Sequence, residues 1–317
     1  MRAIGVGLAA LMVSTLSSSS ASAFVRSRTS TGTPVFWASG CVFVTPDSGG
    51  TADLPGDMVT ATIQKSLANW QTPTASCSYL KLTLETAVAL EAHYDGINTV
   101  KFRSDRWCHP DDTMSHDQCY SPNAAAITTA YFIDKAGDKN DGELLDADIE
   151  LNDINFTFEI LNPSATAPRA GTSVADLENT LTHELGHLQG LDHTCADAAT
   201  PANETDDTGN APPPCDNLDS LSADARMKIE TATMYNSAVP GDTSKRSIET
   251  DDKNGICAIY PTAKDPKTCA AVNLTTVTKT AGCSFVATDG RAPIGLAIFL
   301  SVVGGFLWLT RLRRARA

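Results

Sequence analysis

Positive charge is scarce in this chain. Of its 317 residues, 24 are Lys or Arg against 37 Asp or Glu, a formal net charge of −13. Five of the cations, Arg2, Arg311, Arg313, Arg314 and Arg316, lie at the two ends; without them 19 basic residues face 37 acidic ones, a balance of −18. So acidic a surface argues against nucleic acid or anionic lipid as a partner. Histidine is also scarce, six in all, yet His183, His187 and His193 fall within eleven residues. The other three, His93, His109 and His116, are scattered and are expected to be structural. Charge of either sign is missing from residues 292–310, a nineteen-residue apolar run about long enough to cross a bilayer core. The arginine cluster that follows it should stay on the cytoplasmic side.

At the other end, Arg2, the apolar residues 4–16 and the small residues Ala21-Ser22-Ala23 have the pattern of a secretory signal. The mature chain is expected to begin at Phe24. Nine cysteines in an exported chain imply an oxidising compartment. Cys41, Cys77, Cys108, Cys119, Cys195, Cys215, Cys257 and Cys269 make an even set, and Cys283 is left over beside the apolar run. Connectivity does not follow from sequence. Pairing of neighbours is the economical arrangement, with Cys108–Cys119 and Cys195–Cys215 closing short loops worth about 2–4 kcal/mol each.

The three clustered histidines stand in the stretch His183-Glu184-Leu185-Gly186-His187-Leu188-Gln189-Gly190-Leu191-Asp192-His193. His183 and His187 are four apart, so on a helix both imidazoles project from one face. Gly190 lets the chain leave the helix through a backbone angle that a Cβ resists, returning His193 as a third nitrogen donor. Three neutral imidazoles leave a fourth position for water, the arrangement of a catalytic zinc. Glu184 stands beside the ligands as a candidate general base. The pattern points to a metal hydrolase.

Around this segment the periodicity predicts strands at 34–46, 80–84, 98–102, 127–133 and 145–158. Helices are expected at 59–70, 173–189, 221–229 and 248–259. Residues 108–120 read as a loop pinned by two cysteines, 138–142 as a tight turn and 195–215 as an excursion fastened by a disulfide. Strands and helices in this order indicate an α+β fold, an α/β sandwich with helices packed on a twisted mixed sheet. The domains follow: a signal peptide at 1–23, a catalytic domain at 24–262, a linker at 263–281 and a C-terminal segment at 282–317 with its membrane span at 292–310.

The long zinc motif resembles that of the metzincin metalloproteases. Downstream, Thr231-Ala232-Thr233-Met234-Tyr235 is similar to that family's methionine turn, and the Asp251-Asp252, Gly255-Ile256 and Tyr260 positions resemble the closing helix of the matrixin branch. Residues 142–150 look like the matrixin edge strand that aligns a peptide substrate. The resemblance spans roughly residues 34–261. It implies that His183, His187 and His193 bind catalytic Zn2+, that Glu184 is general base, and that Met234 is a structural floor beneath the metal rather than a ligand. Protein or peptide substrates follow from it, with hydrolysis by zinc-activated water. Calcium or a second zinc is also known in the family, but no ligands for either are assigned; the turn at 138–142 does not match a twelve-residue EF-hand loop. Tyr235 follows Met234 directly, whereas astacins and serralysins place a tyrosine ligand two residues on. The P-R-C-G-x-P-D propeptide segment of animal matrixins is absent, so latency by that switch is not expected. Gly282-Cys283-Ser284, the apolar span and the arginine cluster resemble the myxobacterial C-terminal sorting signal, which implies processing or lipidation at Cys283 by sorting machinery and attachment at the cell surface. Two rival readings stand beside the peptidase: a surface adhesion module that keeps zinc for structure, and a zinc hydrolase acting on a non-peptide bond.

Overall fold

The computed structural model describes residues 24–110, 118–162, 173–197, 200, 203–274 and 282–287. His116, the signal segment 1–23 and the apolar run 292–310 lie outside them. In chain order the strands are β1 (Val25–Arg26), β2 (Cys41–Pro46), β3 (Lys81–Leu84), β4 (Asn98–Arg103), β5 (Cys108–His109), β6 (Gln118–Cys119), β7 (Ala126–Asp134), β8 (Leu144–Asn152), β9 (Thr157–Glu159), β10 (Val174–Asp176), β11 (Leu191–Asp192), β12 (Thr205–Asp206) and β13 (Gly282–Ala287). The helices are α1 (Gly56–Thr74), α2 (Leu177–Leu188), α3 (Ala223–Thr231) and α4 (Thr250–Ile259). The architecture is α+β, with helices packed on a mixed sheet.

The main sheet has the order β13-β7-β8-β4-β2-β3. Strands β3, β2, β4 and β8 run parallel, while β7 is antiparallel to β8 and β13 is antiparallel to β7. Val59, Ile63, Leu67 and Trp70 recur at helical spacing on α1 and are all buried. They join Leu177, Leu181, Leu185 and Leu188 of α2 and Val42, Val44, Val100, Ala147, Ile149 and Leu151 of the sheet in one core. This apolar burial is what drives the helices onto the sheet.

Strand β8 differs from the expectation for 142–150. It is flanked by β7 on one side and β4 on the other, and every residue from Leu144 to Asn152 is buried. Both of its ladders are filled, so it is an interior strand and not the edge expected to align a substrate; on that side β7 and then β13 lie outside it. Period-2 alternation identifies a strand but says nothing about its neighbours. The polar half of the alternation is not solvated either. Asp146, Asp148 and Glu150 face a layer of loops: Asp146 accepts the Asp95 and Gly96 N–H groups at 2.8 and 2.7 Å, and Asp148 accepts that of Thr99 at 2.8 Å. Glu150 pairs with Arg103 and with His109, whose other ring nitrogen is 2.7 Å from the Tyr131 hydroxyl. His109 is therefore a satisfied structural histidine. His93 is half-exposed, with Nδ1 3.0 Å from the Glu91 carbonyl.

Four disulfides form. Cys108–Cys119 and Cys195–Cys215 join neighbours. The remaining four cysteines correct the neighbour rule, pairing as Cys41–Cys269 and Cys77–Cys257. Tertiary structure explains this: α4 ends beside the start of β3, where Tyr79 donates to the Tyr260 carbonyl at 2.9 Å and Ser78 bridges Pro261. The stretch expected as a linker is tied down at its start, since Cys269 is bonded to Cys41 and Gly40 donates to the Thr268 carbonyl at 2.9 Å. The excursion at 195–215 returns to the body through β12, which pairs with β1, and β1 pairs on its other edge with β11. Among the described residues, no helix is long and apolar enough to cross a membrane.

Candidate metal centre

Helix α2 begins later than periodicity suggests, because residues 174–176 are strand and Asp176 caps the helix by accepting the Asn179 N–H at 2.8 Å. His183 and His187 leave it one turn apart, with ring centroids 4.9 Å from each other. The helix stops where expected. Gly190 has φ +93° and donates to the His187 carbonyl at 2.8 Å, a conformation that L side chains rarely adopt. The chain then enters β11 and delivers His193.

Three Nε2 atoms meet there. His193 Nε2 lies 3.2 Å from His187 Nε2 and 3.3 Å from His183 Nε2. Two of the other ring nitrogens are committed: His183 Nδ1 donates to the Thr233 carbonyl at 2.6 Å and His187 Nδ1 to the Leu191 carbonyl at 3.0 Å. A neutral imidazole protonated at Nδ1 presents only a lone pair at Nε2. With two of the three Nε2 atoms fixed as lone pairs, the cluster presents converging nitrogens that could hold a cation. Among the described residues, no further His, Cys, Asp or Glu joins the group. Burial holds the imidazoles below their usual range, His187 at about 4, and the nearby Lys245 ammonium adds to the effect. They are neutral at pH 7 and need lose no proton to bind a metal.

Glu184 is buried in the same turn of helix. Its Oε2 accepts the Thr128 hydroxyl of β7 at 2.7 Å. Burial pushes its carboxyl up to about 7, against the pull of the Thr128 bond and of Lys245. A carboxyl in that range both takes and returns a proton near neutral pH.

Met234 lies beneath the helix and is 1% exposed. A Cβ on Gly186 would lie 2.1 Å from its Sδ, so the glycine inside the motif is what admits the methionine. The segment is held by Asp252 of α4, which accepts the Thr233 and Met234 N–H groups at 2.9 and 3.2 Å. On the same helix Gly255 leaves room for Leu191 and Phe24, and the Tyr260 hydroxyl donates to the Gln189 carbonyl at 2.7 Å. Trp70 and Trp37 bind two more carbonyls of the α2 segment, Thr182 and Leu188, each at 2.7 Å. The Trp37 and Tyr260 donors thus satisfy carbonyls at the helix end that would otherwise be stranded away from water, while Trp70 adds a second bond to a carbonyl inside the helix.

All five residues singled out in the domain, His183, Glu184, His187, His193 and Met234, come together. Tyr235 does not join the donors; its ring packs against Leu218 and Ile229 beside the Cys195–Cys215 bridge. Cys283 is elsewhere, in β13 opposite Ile133. Two neighbours of the site carry no sequence signal. Thr128 lies 56 residues from Glu184. Lys245 is buried with its ammonium bonded to the Tyr235 carbonyl and 3.4 Å from His183 Nδ1; burial lowers it to about 8. No protein-family model matches the chain, and no curated protein matches it.

Proposed function

We propose that this chain is a zinc-dependent endopeptidase of the metzincin type, nearest in its motifs to the matrixin branch. The observation that carries the reading is the spacing of the three Nε2 atoms. A tetrahedral zinc with Zn–N of about 2.0–2.1 Å requires ligand–ligand edges of about 3.3–3.4 Å, and the two edges available measure 3.2 and 3.3 Å. Zinc held there would supply Lewis acidity, polarising a scissile carbonyl and making water reactive near neutral pH.

The protein's own groups do the rest. The Thr233 and Leu191 carbonyls fix the tautomer and orientation of two imidazoles, which raises their strength as donors. Thr128 aims the Glu184 carboxylate, which takes a proton from the attacking water and returns it to the departing amine. The Met234 floor and the Asp252 bonds hold the loop that carries the Thr233 carbonyl. The four disulfides suit an oxidising compartment, in keeping with export and with a tail that is anchored in a membrane or processed at Cys283.

The test is cleavage of an unfolded protein, profiled by mass spectrometry for wild type, Glu184→Ala and His187→Ala. Glu184→Ala is expected to keep its metal and lose all cleavage, whereas His187→Ala loses both. Unchanged cleavage by Glu184→Ala contradicts the mechanism. Metal retention without cleavage by wild type favours the adhesion module instead, and the profiled sites report side-chain preference.

A further inference from the structure

Strand β7 has one neighbour in the body of the domain, β8. Along its outer edge lies β13, antiparallel, with Gly282 opposite Asp134, Phe285 opposite Tyr131 and Ala287 opposite Thr129. This pairing ends at the metal centre. The residue of β7 next after Thr129 is Thr128, whose hydroxyl holds Glu184. The tail therefore runs along the strand that touches the candidate general base, pointing toward it.

A free strand edge presents a row of unpaired N–H and C=O groups and accepts an extended peptide whatever its side chains. The tail is well placed to be that peptide. Its approach is anchored by the Cys41–Cys269 bridge, and Leu274 lies beside Gly96. Only seven residues of sequence separate Leu274 from Gly282. So short a tether gives an effective concentration in the millimolar range, on the order that a free peptide must exceed to compete.

We infer that the outer edge of β7 is a docking surface for one extended peptide, and that its resident occupant is this chain's own segment Gly282–Ala287, which an incoming substrate must displace. The role of the displacing peptide as substrate rests on the peptidase reading; the docking does not. Any cut that removes the residues after Gly282 opens the edge.

The experiment uses the full chain in detergent and the double substitution Phe285→Pro with Val286→Pro. Adjacent residues of an antiparallel strand alternate in facing their partner, so one of the two prolines deletes a ladder donor in either phase. Amide hydrogen exchange is expected to speed up in β7 at 126–134 and to stay unchanged in β4 and α2. In the Glu184→Gln background, a fluorescent hexapeptide should bind about tenfold more tightly once the prolines are present. In the active chain the KM for a quenched peptide should fall by a similar factor with kcat unchanged. Equal β7 exchange with and without the prolines overturns the pairing. Faster exchange with equal peptide binding overturns the competition. Tighter peptide binding with no cleavage in any active chain supports the docking and overturns the peptidase reading instead.

Discussion

Two buried polar clusters lie on opposite sides of the sheet, and they solve burial differently. In the histidine cluster the groups are neutral, two of the outer nitrogens are bonded to carbonyls, and the three inner nitrogens face one another. In the β8 cluster the groups are acidic. They are held by backbone N–H donors, by the Arg103 guanidinium and by a His109 ring nitrogen, and among the described residues Asp146 Oδ1 and Asp148 Oδ2 have no hydrogen-bond partner. The first arrangement offers converging nitrogens that could hold a cation. The second is already partly compensated; burial, aided by the Asp95 charge, pushes Asp146 up to about 7, and burial, aided by the Asp146 charge, pushes Asp148 well up. Burial of three polar groups is thus no guide to function; what matters is where their free lone pairs point.

The largest effect should come from breaking the first cluster. His187→Ala removes one of three donors and is expected to abolish metal retention and lower activity by at least about a thousandfold, measured by metal analysis and peptide hydrolysis. Breaking the second cluster should cost stability instead. Arg103→Met strips the cation from Glu150, which is fully buried, and leaves an uncompensated charge. A loss of about 3–5 kcal/mol in denaturant unfolding is expected, with metal content unchanged.

How far was this division legible beforehand? The first cluster was, because its information is local. The four-residue spacing of His183 and His187, the turn at Gly190 and the return of His193 are contained in eleven residues, and Thr233-Met234 carries its own pattern. Thr128 and Lys245 were not, since each reaches the site from a distant segment and nothing in its own neighbourhood marks it. The β8 cluster was half legible: alternation showed the strand, but the polar face looked like the outside of a sheet and is covered by loops. The same limit explains the edge misassigned to residues 142–150 and the nested long-range disulfides. Pairing across the domain is set by which segments pack together, and Cys41 meets Cys269 because the stretch after α4 returns to the start of β2.

Smaller effects sharpen the contrast. Thr128→Val should lower kcat by roughly tenfold to a hundredfold through loss of one hydrogen bond to a charged group, with metal content and KM unaltered. For Asp146 the folded carboxyl titrates near 7 against about 3.9 unfolded, so the folded state holds the proton more tightly. The stabilisation is present in full at pH 4 or below and is lost as pH rises through about 7. Asp146→Asn keeps an oxygen for the Asp95 and Gly96 donors and removes the titration. Relative to wild type, its melting temperature should therefore improve from pH 5 to about pH 7 and then level off, and a constant difference would contradict the assignment. Met234→Leu, a volume-conserving change under Gly186, is expected to cost less than about 1.5 kcal/mol and to leave metal in place.

The central claim is that three imidazoles, and no fourth protein group, close around one metal ion. X-ray absorption at the zinc edge of the full chain tests it most directly. The account predicts one zinc per chain with three imidazole nitrogens at about 2.0–2.1 Å and a remaining light-atom ligand from solvent, the imidazole count falling to two in His193→Ala. A shell of four protein ligands, or a chain purified in excess zinc that holds none, would contradict it.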